Sequence, residues 1–554
     1  EPLRRQLGTE WPPAWANELA TAYLNRGMTR RAGQDLSGAL ADCGKAIELR
    51  EALRRQLGTE WPPGWANALA RAYVNRGNAH LDVPDLSGAL ADYGRAIELQ
   101  EALRRQLGTE WPPAWTNALA TAYLNRGNAR RDGQDLSGAL ADCGRAIEMM
   151  DALRHQLGAE WPPAWANGLA AAYMNRGNAR RAGQDLRGAL EDYEQAIRLM
   201  EALRRQLGAE WPPAWADDLA GAYGNRGNAR RDGQDLSGAL ADFGRAIELR
   251  EALRRQLGTE WPPAWANDLA AAYMNRGNAR CDGQDLSGAL ADYEQAIELR
   301  EALRHQLGTE WPLAWADDLA GAYVNRGNAR RDGQDLSGAL ADYEQAIELR
   351  EALRHQLGTE WPLAWADDLA GAYVNRGNAR RDGQDLSGAL ADYEQAIELR
   401  EALRHQLGTE WPPEWANSLA RTYMNRGIVL EESSCLEDAI TDWDRAAKIY
   451  LNQVEHGQLR AGPQFLKVVW WQLGGFRDLG NWPEAGQCLL QFLSFHARLQ
   501  MEWLDHDGEE EPPWEPVVVE FAQTIQALDQ EERTCLLDAL GQAAEEVKEI
   551  FGWS

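Results

Sequence analysis

The chain has 554 residues and a formal net charge of −28, from 57 lysines and arginines against 85 aspartates and glutamates. This acidic balance excludes a general nucleic-acid binder, because contacts to phosphate need clustered cationic surface. The apolar runs are too short to cross a bilayer, which takes about 20 residues, and no signal-peptide pattern opens the sequence. We therefore predict a soluble, cytoplasmic protein that binds neither nucleic acid nor membrane.

The sequence repeats itself with a period of fifty residues. Residues 301–350 and 351–400 are identical, and nine copies occupy residues 1–450, the first incomplete at its start and the ninth degenerate. A unit that cannot bury its apolar face alone builds a continuous core when it is stacked in tandem. The period therefore predicts one elongated array rather than several separate domains.

Each copy is predicted to begin with a helix of about eighteen residues. In the copy at 251–300, the run after Pro263 has no internal proline, and its large apolar residues recur at a helical spacing. These residues are Trp265, Leu269, Tyr273 and Met274. Proline costs least in the first turn of a helix, and Gly283 with Gln284 marks the predicted exit.

A second helix of about 23 residues is predicted to follow. Asp285 offers a side-chain acceptor at its start, and Gly308 suits the left-handed conformation that closes a helix. Its apolar face consists of Leu286, Leu290, Tyr293, Ile297 and Leu299. Two antiparallel helices joined by a short turn and repeated in tandem predict an all-α fold, an α-solenoid of helical hairpins.

The core of this unit resembles a known repeat. The string NRGNARRDGQDLSGALADYEQAIEL, residues 325–349, is similar to the tetratricopeptide repeat, and the small residues of that family's pattern stand at Gly277, Ala289 and Ala296. The string LGTEWPPAW resembles the linker of kinesin-light-chain-like bacterial arrays. The resemblance implies a right-handed superhelix with a concave groove. The usual period is ~34 residues, and the resemblance to the kinesin-light-chain-like arrays implies about 42 for that variant. The roughly eight further residues here equal about two helical turns, so we predict taller hairpins, with about one extra turn on each helix.

Asparagines recur at two positions of the first helix. In the repeat family these positions tend to face the groove, and a carboxamide can both donate to and accept from a peptide main chain. Arginines stand one turn further on in five copies, interrupted by Leu81 and Cys281. The predicted peptide-binding residues are Asn75, Asn78, Asn125, Asn128, Asn175, Asn178, Asn225, Asn228, Asn275, Asn278, Asn325, Asn328, Asn375, Asn378, Arg131, Arg181, Arg231, Arg331 and Arg381. Two alternatives stay open: the asparagines only fix the stacking of the repeats, or the surface takes a small ligand.

Two sets of apolar residues favour structural roles. The residue before the first asparagine is Leu, Val, Met or Gly in every copy, and we predict core packing for it, with side-chain pockets for a ligand as the alternative. Eighteen of the 25 tryptophans form pairs, such as Trp261 with Trp265, that straddle a proline turn. Their spacing is typical of a hydrophobic staple, so we predict that they pack against each other.

The sequence offers no catalytic or metal-ligating constellation. Four histidines, His155, His305, His355 and His405, occupy one position of the repeat and so would not converge on a metal. No phosphate-binding glycine loop, nucleophile elbow or zinc spacing occurs. Cys43 and Cys143 replace a tyrosine or phenylalanine of other copies and are predicted to be buried, reduced thiols. We predict a protein that is not an enzyme and needs no cofactor.

Residues 451–554 are predicted to form a helical C-terminal cap. A hairpin is expected over 463–479 and 483–504, with its turn at Gly480 and Asn481, followed by an acidic loop over 505–516. Two helices are expected over 517–529 and 530–551. At the other end, residues 1–7 correspond to the tail of a second helix, or Pro2 starts a short capping helix.

These features predict a non-catalytic scaffold or sensor that binds an extended segment of another protein in the groove. One alternative is a structural solenoid that assembles into a homo-oligomer. The other is the recognition arm of a larger signalling ATPase or protease.

Overall fold

A computed structural model describes residues 11–504 and 514–553. The described residues form helices and turns and contain no strand. This confirms the predicted all-α class. The expectations for residues 1–7, and for most of the acidic loop, lie outside the described residues.

Nine helical hairpins occupy the described part of the repeat region. We call the first helix of each hairpin helix A and the second helix B. In chain order, the eighteen helices α1 to α18 are Pro13–Ala32, Leu36–Leu57, Pro63–Asp82, Leu86–Leu107, Pro113–Asp132, Leu136–Leu157, Pro163–Ala182, Leu186–Leu207, Pro213–Asp232, Leu236–Leu257, Pro263–Asp282, Leu286–Leu307, Leu313–Asp332, Leu336–Leu357, Leu363–Asp382, Leu386–Leu407, Pro413–Glu432 and Leu436–Glu455. The predicted lengths are close: α11, at Pro263, has 20 residues and α12, at Leu286, has 22.

Local sequence sets the ends of helix B. The side chain of Asp285 accepts a hydrogen bond from the backbone N–H of Gly288 and caps α12, and Gly308 ends this helix with a φ of 52°. Helix A ends at the predicted position, Gly283 with Gln284. Gly283 has an ordinary φ of −87°, and the left-handed residue is Gln284, at 62°. The glycine instead donates backbone hydrogen bonds to the last turn of α11.

The chain divides into two compact units, residues 1–283 and 284–554. The described part of the first contains α1 to α11, and the second begins with α12. Within each unit, consecutive helices pack against one another, so each hairpin contacts its neighbours. Leu69, Ala70 and Ala72 of α3 have no exposed surface, which shows that small side chains fill much of the space between hairpins.

Small residues let the two helices of a hairpin approach closely. A Cβ added to Gly327 in α13 would lie 2.7 Å from Cε1 of Tyr343 in α14, closer than real Cβ atoms come. Tyr343 is fully buried, and its ring packs between Ala339 of its own hairpin and Ala379 of the next. The glycine and the first alanine of the family pattern therefore take part in real contacts, and the second alanine, Ala346 in this hairpin, is fully buried.

Buried arginines join successive hairpins. Arg350 of α14 donates from Nε to Asp317 Oδ1 at 2.8 Å within its hairpin, and from Nη1 to the carbonyl oxygen of Asp368 at 3.2 Å in the next. In hairpin 1 the corresponding Arg50 meets the neutral Asn17 Oδ1 at 3.1 Å. Burial, with the nearby Arg71, lowers the pKa of Arg50 to about 10. The first hairpin therefore buries a cation without the carboxylate that Arg350 has.

Five further helices follow: α19 Gly462–Asp478, α20 Trp482–Leu504, α21 Glu515–Gln526, α22 Gln530–Leu540 and α23 Ala544–Phe551. The predicted hairpin with its turn at Gly480 and Asn481 is confirmed. The last predicted helix is broken in two, because Gly541 has a φ of 55° that a helix cannot contain. Phe492 and Phe521 stack at 3.7 Å between ring centroids, in one core that α18 shares with α19 and α20. No helix in the described ranges is long and apolar enough to span a membrane.

Candidate surface on helix A

The predicted site residues lie on the C-terminal half of helix A. All fourteen asparagines and the five arginines are half-buried. We call the surface that they form within each unit the helix A surface. Each unit places several copies of the same polar group on this surface, because consecutive hairpins pack in sequence.

The asparagines make hydrogen bonds within and between hairpins. The Tyr93 hydroxyl donates to Asn78 Oδ1 at 2.7 Å, and Nδ2 of Asn125 in the next hairpin donates to the same oxygen at 3.1 Å. Tyr393, Asn378 and Asn425 repeat this arrangement in the second unit. The oxygen of the second asparagine therefore helps to fix the stacking of these hairpins.

The tyrosine that bonds this oxygen is absent from some copies. Cys143 takes its place in hairpin 3, and Asn128 Oδ1 is there buried without a hydrogen-bond partner. Phe243 takes its place in hairpin 5 and has no hydroxyl for Asn228. The two predicted thiols are confirmed as free and buried, and burial raises the pKa of Cys43 to about 11 and of Cys143 to about 12.

Four of the five predicted arginines pair with an acid of the following hairpin. The shortest distances are 2.6 Å for Arg181 with Asp232, 2.9 Å for Arg231 with Asp282, 3.6 Å for Arg331 with Asp382 and 2.5 Å for Arg381 with Glu432. These pairs are partly exposed, and each is worth little free energy by itself. Within each unit, two such pairs place alternating charges along the ends of helix A.

Arg131 is the exception. The acid of the next hairpin is replaced by Ala182, and Arg131 contacts its own neighbour Asp132 at 2.8 Å instead. An open cavity of about 560 Å³ lies here, lined by Arg131, Asn178, Arg181, Ala182, Gln184, Asn225 and Asp232. This part of the helix A surface therefore combines a cation free of any inter-hairpin ion pair with two carboxamides.

Sequence reasoning missed a buried ion pair inside the hairpins. Arg126 donates from Nε and Nη2 to the two oxygens of Asp142 at 2.8 and 2.7 Å, and Arg130 donates to Asp142 at 2.9 Å. Asp142 is almost fully buried, and the same pair recurs in hairpins 1 to 5 and 7 to 9. A signal was present, because Asp142 stands among the apolar residues of helix B.

The apolar sets have the structural roles that were predicted. Leu24, Leu124, Met274 and Met424 are buried, and Val74 and Val324 pack against core clusters. All nine tryptophan pairs meet edge to face, with ring centroids 5.5–5.8 Å apart. Among the described residues, no group of three or more histidine, cysteine, aspartate or glutamate side chains has the arrangement of a metal site.

Comparison with known proteins agrees with this fold. A family model described as "Tetratricopeptide repeat" matches residues 320–353 and 370–403. No curated protein matches the sequence.

Several solved structures are similar to this chain. BtubC (BKLC) from P. vanneervenii has 18% identity and a TM-score of 0.38, over 49% of this chain and 92% of that one. The apo form of RapI has 11% identity and a TM-score of 0.48, over 78% and 99%. YrrB, described as "a TPR protein with an unusual peptide-binding site", has 19% identity and a TM-score of 0.26, over 43% and 92%. The family model matches two copies, and the other copies repeat the same residues in phase, so the repeat region consists of tetratricopeptide-like repeats.

Proposed function

We propose that this chain is a non-catalytic protein-interaction scaffold that holds an extended segment of a partner protein along the helix A surface. Proteins built from these repeats generally bind protein or peptide partners, which supports the class of function. The finer proposal, a peptide on the asparagines, depends on the hydrogen-bonding capacity that remains on helix A. We further propose that residues 451–554 cap the array.

The observation that carries the proposal is the unequal use of the carboxamide atoms. Oδ1 of Asn78 and of Asn378 accepts two hydrogen bonds, whereas Nδ2 of each donates to no described residue. A half-buried N–H group that lacks a protein partner favours an incoming acceptor. The main-chain carbonyls of an extended segment supply such acceptors at regular intervals, whatever the side chains are.

Arg131 adds a second mode of contact. It lies at the open cavity where Ala182 removes the inter-hairpin acid. Its guanidinium pairs with the adjacent, exposed Asp132, which a carboxylate of the partner would displace. A guanidinium can bind a carboxylate through two parallel hydrogen bonds, which fixes orientation as well as adding affinity. Asn178 and Asn225 line the same cavity. The part of the helix A surface that runs from hairpin 3 through hairpin 4 to hairpin 5 is therefore the expected centre of binding.

Hairpin 5 allows ligand binding to be separated from stacking. Asn178 accepts a hydrogen bond from the Tyr193 hydroxyl, but Phe243 has no hydroxyl to donate to Asn228. Replacing Asn228 should therefore destabilise the fold less than replacing Asn178. The test is selection of displayed random peptides on the full chain, followed by titration of the best peptide. Asn225→Ala with Asn228→Ala is expected to weaken that peptide at least tenfold at unchanged helicity.

The control is Arg255→Ala on the exposed end of helix B, which should leave the affinity unchanged. A double asparagine variant that unfolds by circular dichroism would instead favour the purely structural role. A variant that binds the selected peptide as tightly as the native chain would refute the proposed surface.

A further inference from the structure

An aromatic ring fills one position between successive hairpins. In hairpin 2 the buried ring of Tyr93 packs between Ala89 of its own helix B and Ala129 of the next helix A. The clusters around Tyr193, Phe243, Tyr343 and Tyr393 have the same composition, with Val429 in place of the second alanine in the last. Each of these five junctions therefore contains a slot for a six-membered ring.

In hairpins 1 and 3 a cysteine replaces this ring, and in hairpin 1 the slot is open. Cys43 stands where the aromatic residue stands elsewhere, and its Sγ lies over Gly27, as the Tyr93 ring lies over Gly77. The walls equivalent to Ala89 and Ala129 are Ala39 and Ala79, and both now line an open cavity of about 460 Å³. That volume is in the range of small-ligand pockets, about 300–1,000 Å³.

The floor of this cavity is apolar and its rim is polar. Burial keeps the Cys43 thiol uncharged, because it raises the pKa to about 11. On the rim, Asn75 has no neighbour equivalent to the Asn78 that accepts from Asn125, because residue 28 is methionine. The Arg31–Asp82 ion pair closes one side. An occupant is therefore expected to have an apolar ring and one hydrogen-bonding group near Asn75.

We propose that the cavity between hairpins 1 and 2 binds a phenol ring, supplied by a tyrosine of the partner segment on the helix A surface. That a partner supplies the ring rests on the proposed function, since Asn75, which lines the cavity, is also the first of the predicted peptide-binding asparagines. A phenol ring fits because the same slot already accepts tyrosine rings from this chain. The asparagine that accepts from their hydroxyls is replaced by Met28 in hairpin 1, which leaves Asn75 on the rim as the hydrogen-bonding group for a phenol hydroxyl. Apolar cavities in proteins bind benzene-sized molecules when no side chain fills them.

The first experiment uses p-cresol, the side chain of tyrosine alone, titrated into the full chain by calorimetry. Saturable binding at this cavity is expected for the native chain. Cys43→Tyr should remove this site, because the chain then fills the slot itself, and the variant should melt higher than the native chain. Cys143→Tyr, which adds the ring at the equivalent position of hairpin 3, should leave this site in place. Asn75→Ala should weaken p-cresol about fivefold, the effect of one hydrogen bond, and should not change the binding of toluene.

Two further variants make the result decisive. Phe243→Tyr adds the same side chain at a slot that is already full, so p-cresol binding should be unchanged. Ala79→Val narrows the cavity with the residue that hairpin 9 carries natively, and weaker binding is expected even if Cys43→Tyr fails to fold. No saturable binding to the native chain, or equal binding by Cys43→Tyr, would overturn the cavity as a phenol site.

The second experiment separates the source of the ring. Random peptides displayed on phage and selected on the native chain should be enriched in tyrosine, and those selected on Cys43→Tyr should not. Selected peptides without tyrosine would overturn the partner tyrosine while leaving the scaffold function in place. Binding of p-cresol without selection of any peptide would overturn the scaffold function instead, and would make free phenols the ligand.

Discussion

Replacing Gly327 by alanine should loosen hairpin 7. The new methyl group would lie 2.7, 3.0 and 3.1 Å from three ring atoms of Tyr343, where ordinary contact begins at about 3.5 Å. The ring has no exposed surface and cannot move away without disturbing Ala339 and Ala379. Its hydroxyl also donates to Asn328 at 2.8 Å, a bond that a displaced ring would lose.

The size of the effect follows from these contacts. Overpacking a dense core costs about 1–3 kcal/mol, and the strained hydrogen bond adds about 1 kcal/mol. Alanine recovers about 1 kcal/mol of helix propensity over glycine. We therefore expect a net loss of about 1–3 kcal/mol in the local free energy of unfolding. Gly321 lies in the same helix, and a Cβ there meets nothing within 4 Å, so Gly321→Ala should stabilise by about 1 kcal/mol.

Native-state hydrogen exchange, read by mass spectrometry, measures this difference locally. Peptides of hairpins 7 and 8 are identical in the native sequence. In the Gly327→Ala variant, a peptide that spans residue 327 is heavier by one methylene group, so it can be told apart by mass. The matching peptide of hairpin 8 then serves as an internal reference. Faster exchange is expected in hairpin 7 for Gly327→Ala and slower exchange for Gly321→Ala. Equal or slower exchange in Gly327→Ala would refute the argument that the helices of a hairpin approach to glycine distance.

Three further outcomes are expected. Asn17→Asp should increase the free energy of unfolding by about 1 kcal/mol, because a carboxylate then faces the buried Arg50. The melting temperature should rise accordingly, and a lower one would contradict this. Asp385→Ala should speed exchange in the first turn of α16, at a cost of about 1 kcal/mol, because Asp385 caps that helix, and Asp385→Ser should restore most of the protection. Above pH 9 the free energy of unfolding should fall, because burial raises the pKa of Tyr173 to about 12 and of Cys43 to about 11. The folded chain then holds protons that the unfolded chain releases, so thermal melts that stay level from pH 9 to 11 would be inconsistent with these shifts.

The hairpins could be predicted from the sequence because local chemistry sets their ends. Pro263, Asp285 and Gly308 act through their own backbone geometry and a side chain within the next turn, so their roles are visible in a single copy. The turn conformation at Gln284 was not visible, because glutamine seldom adopts a positive φ and the adjacent Gly283 is the more obvious candidate. The break at Gly541 was missed because one glycine inside a helical pattern does not always end a helix.

The candidate site could be predicted in position but not in its bonds. The spacing of Asn75 and Asn78 places both on one side of helix A, and the structure leaves both half-buried. Whether the oxygen of Asn78 is occupied depends on Tyr93, fifteen residues later on the other helix. The pairing of Arg181 depends on Asp232 in the next hairpin. Predicting such contacts requires knowing how neighbouring helices are aligned along each other, and the fifty-residue repeat period alone does not specify this alignment.

The recurrence of contacts between neighbouring hairpins has a consequence for how such a chain can change in length. Residues 301–350 and 351–400 are identical, so removing either stretch leaves the same residues facing each other across the new junction. Arg350 would then meet the backbone at Ser418 and the hydroxyl of Thr422, as Arg400 does now. A gene of this kind can gain or lose a whole unit by recombination between its copies, and the product has the same interfaces and a surface shorter or longer by one step.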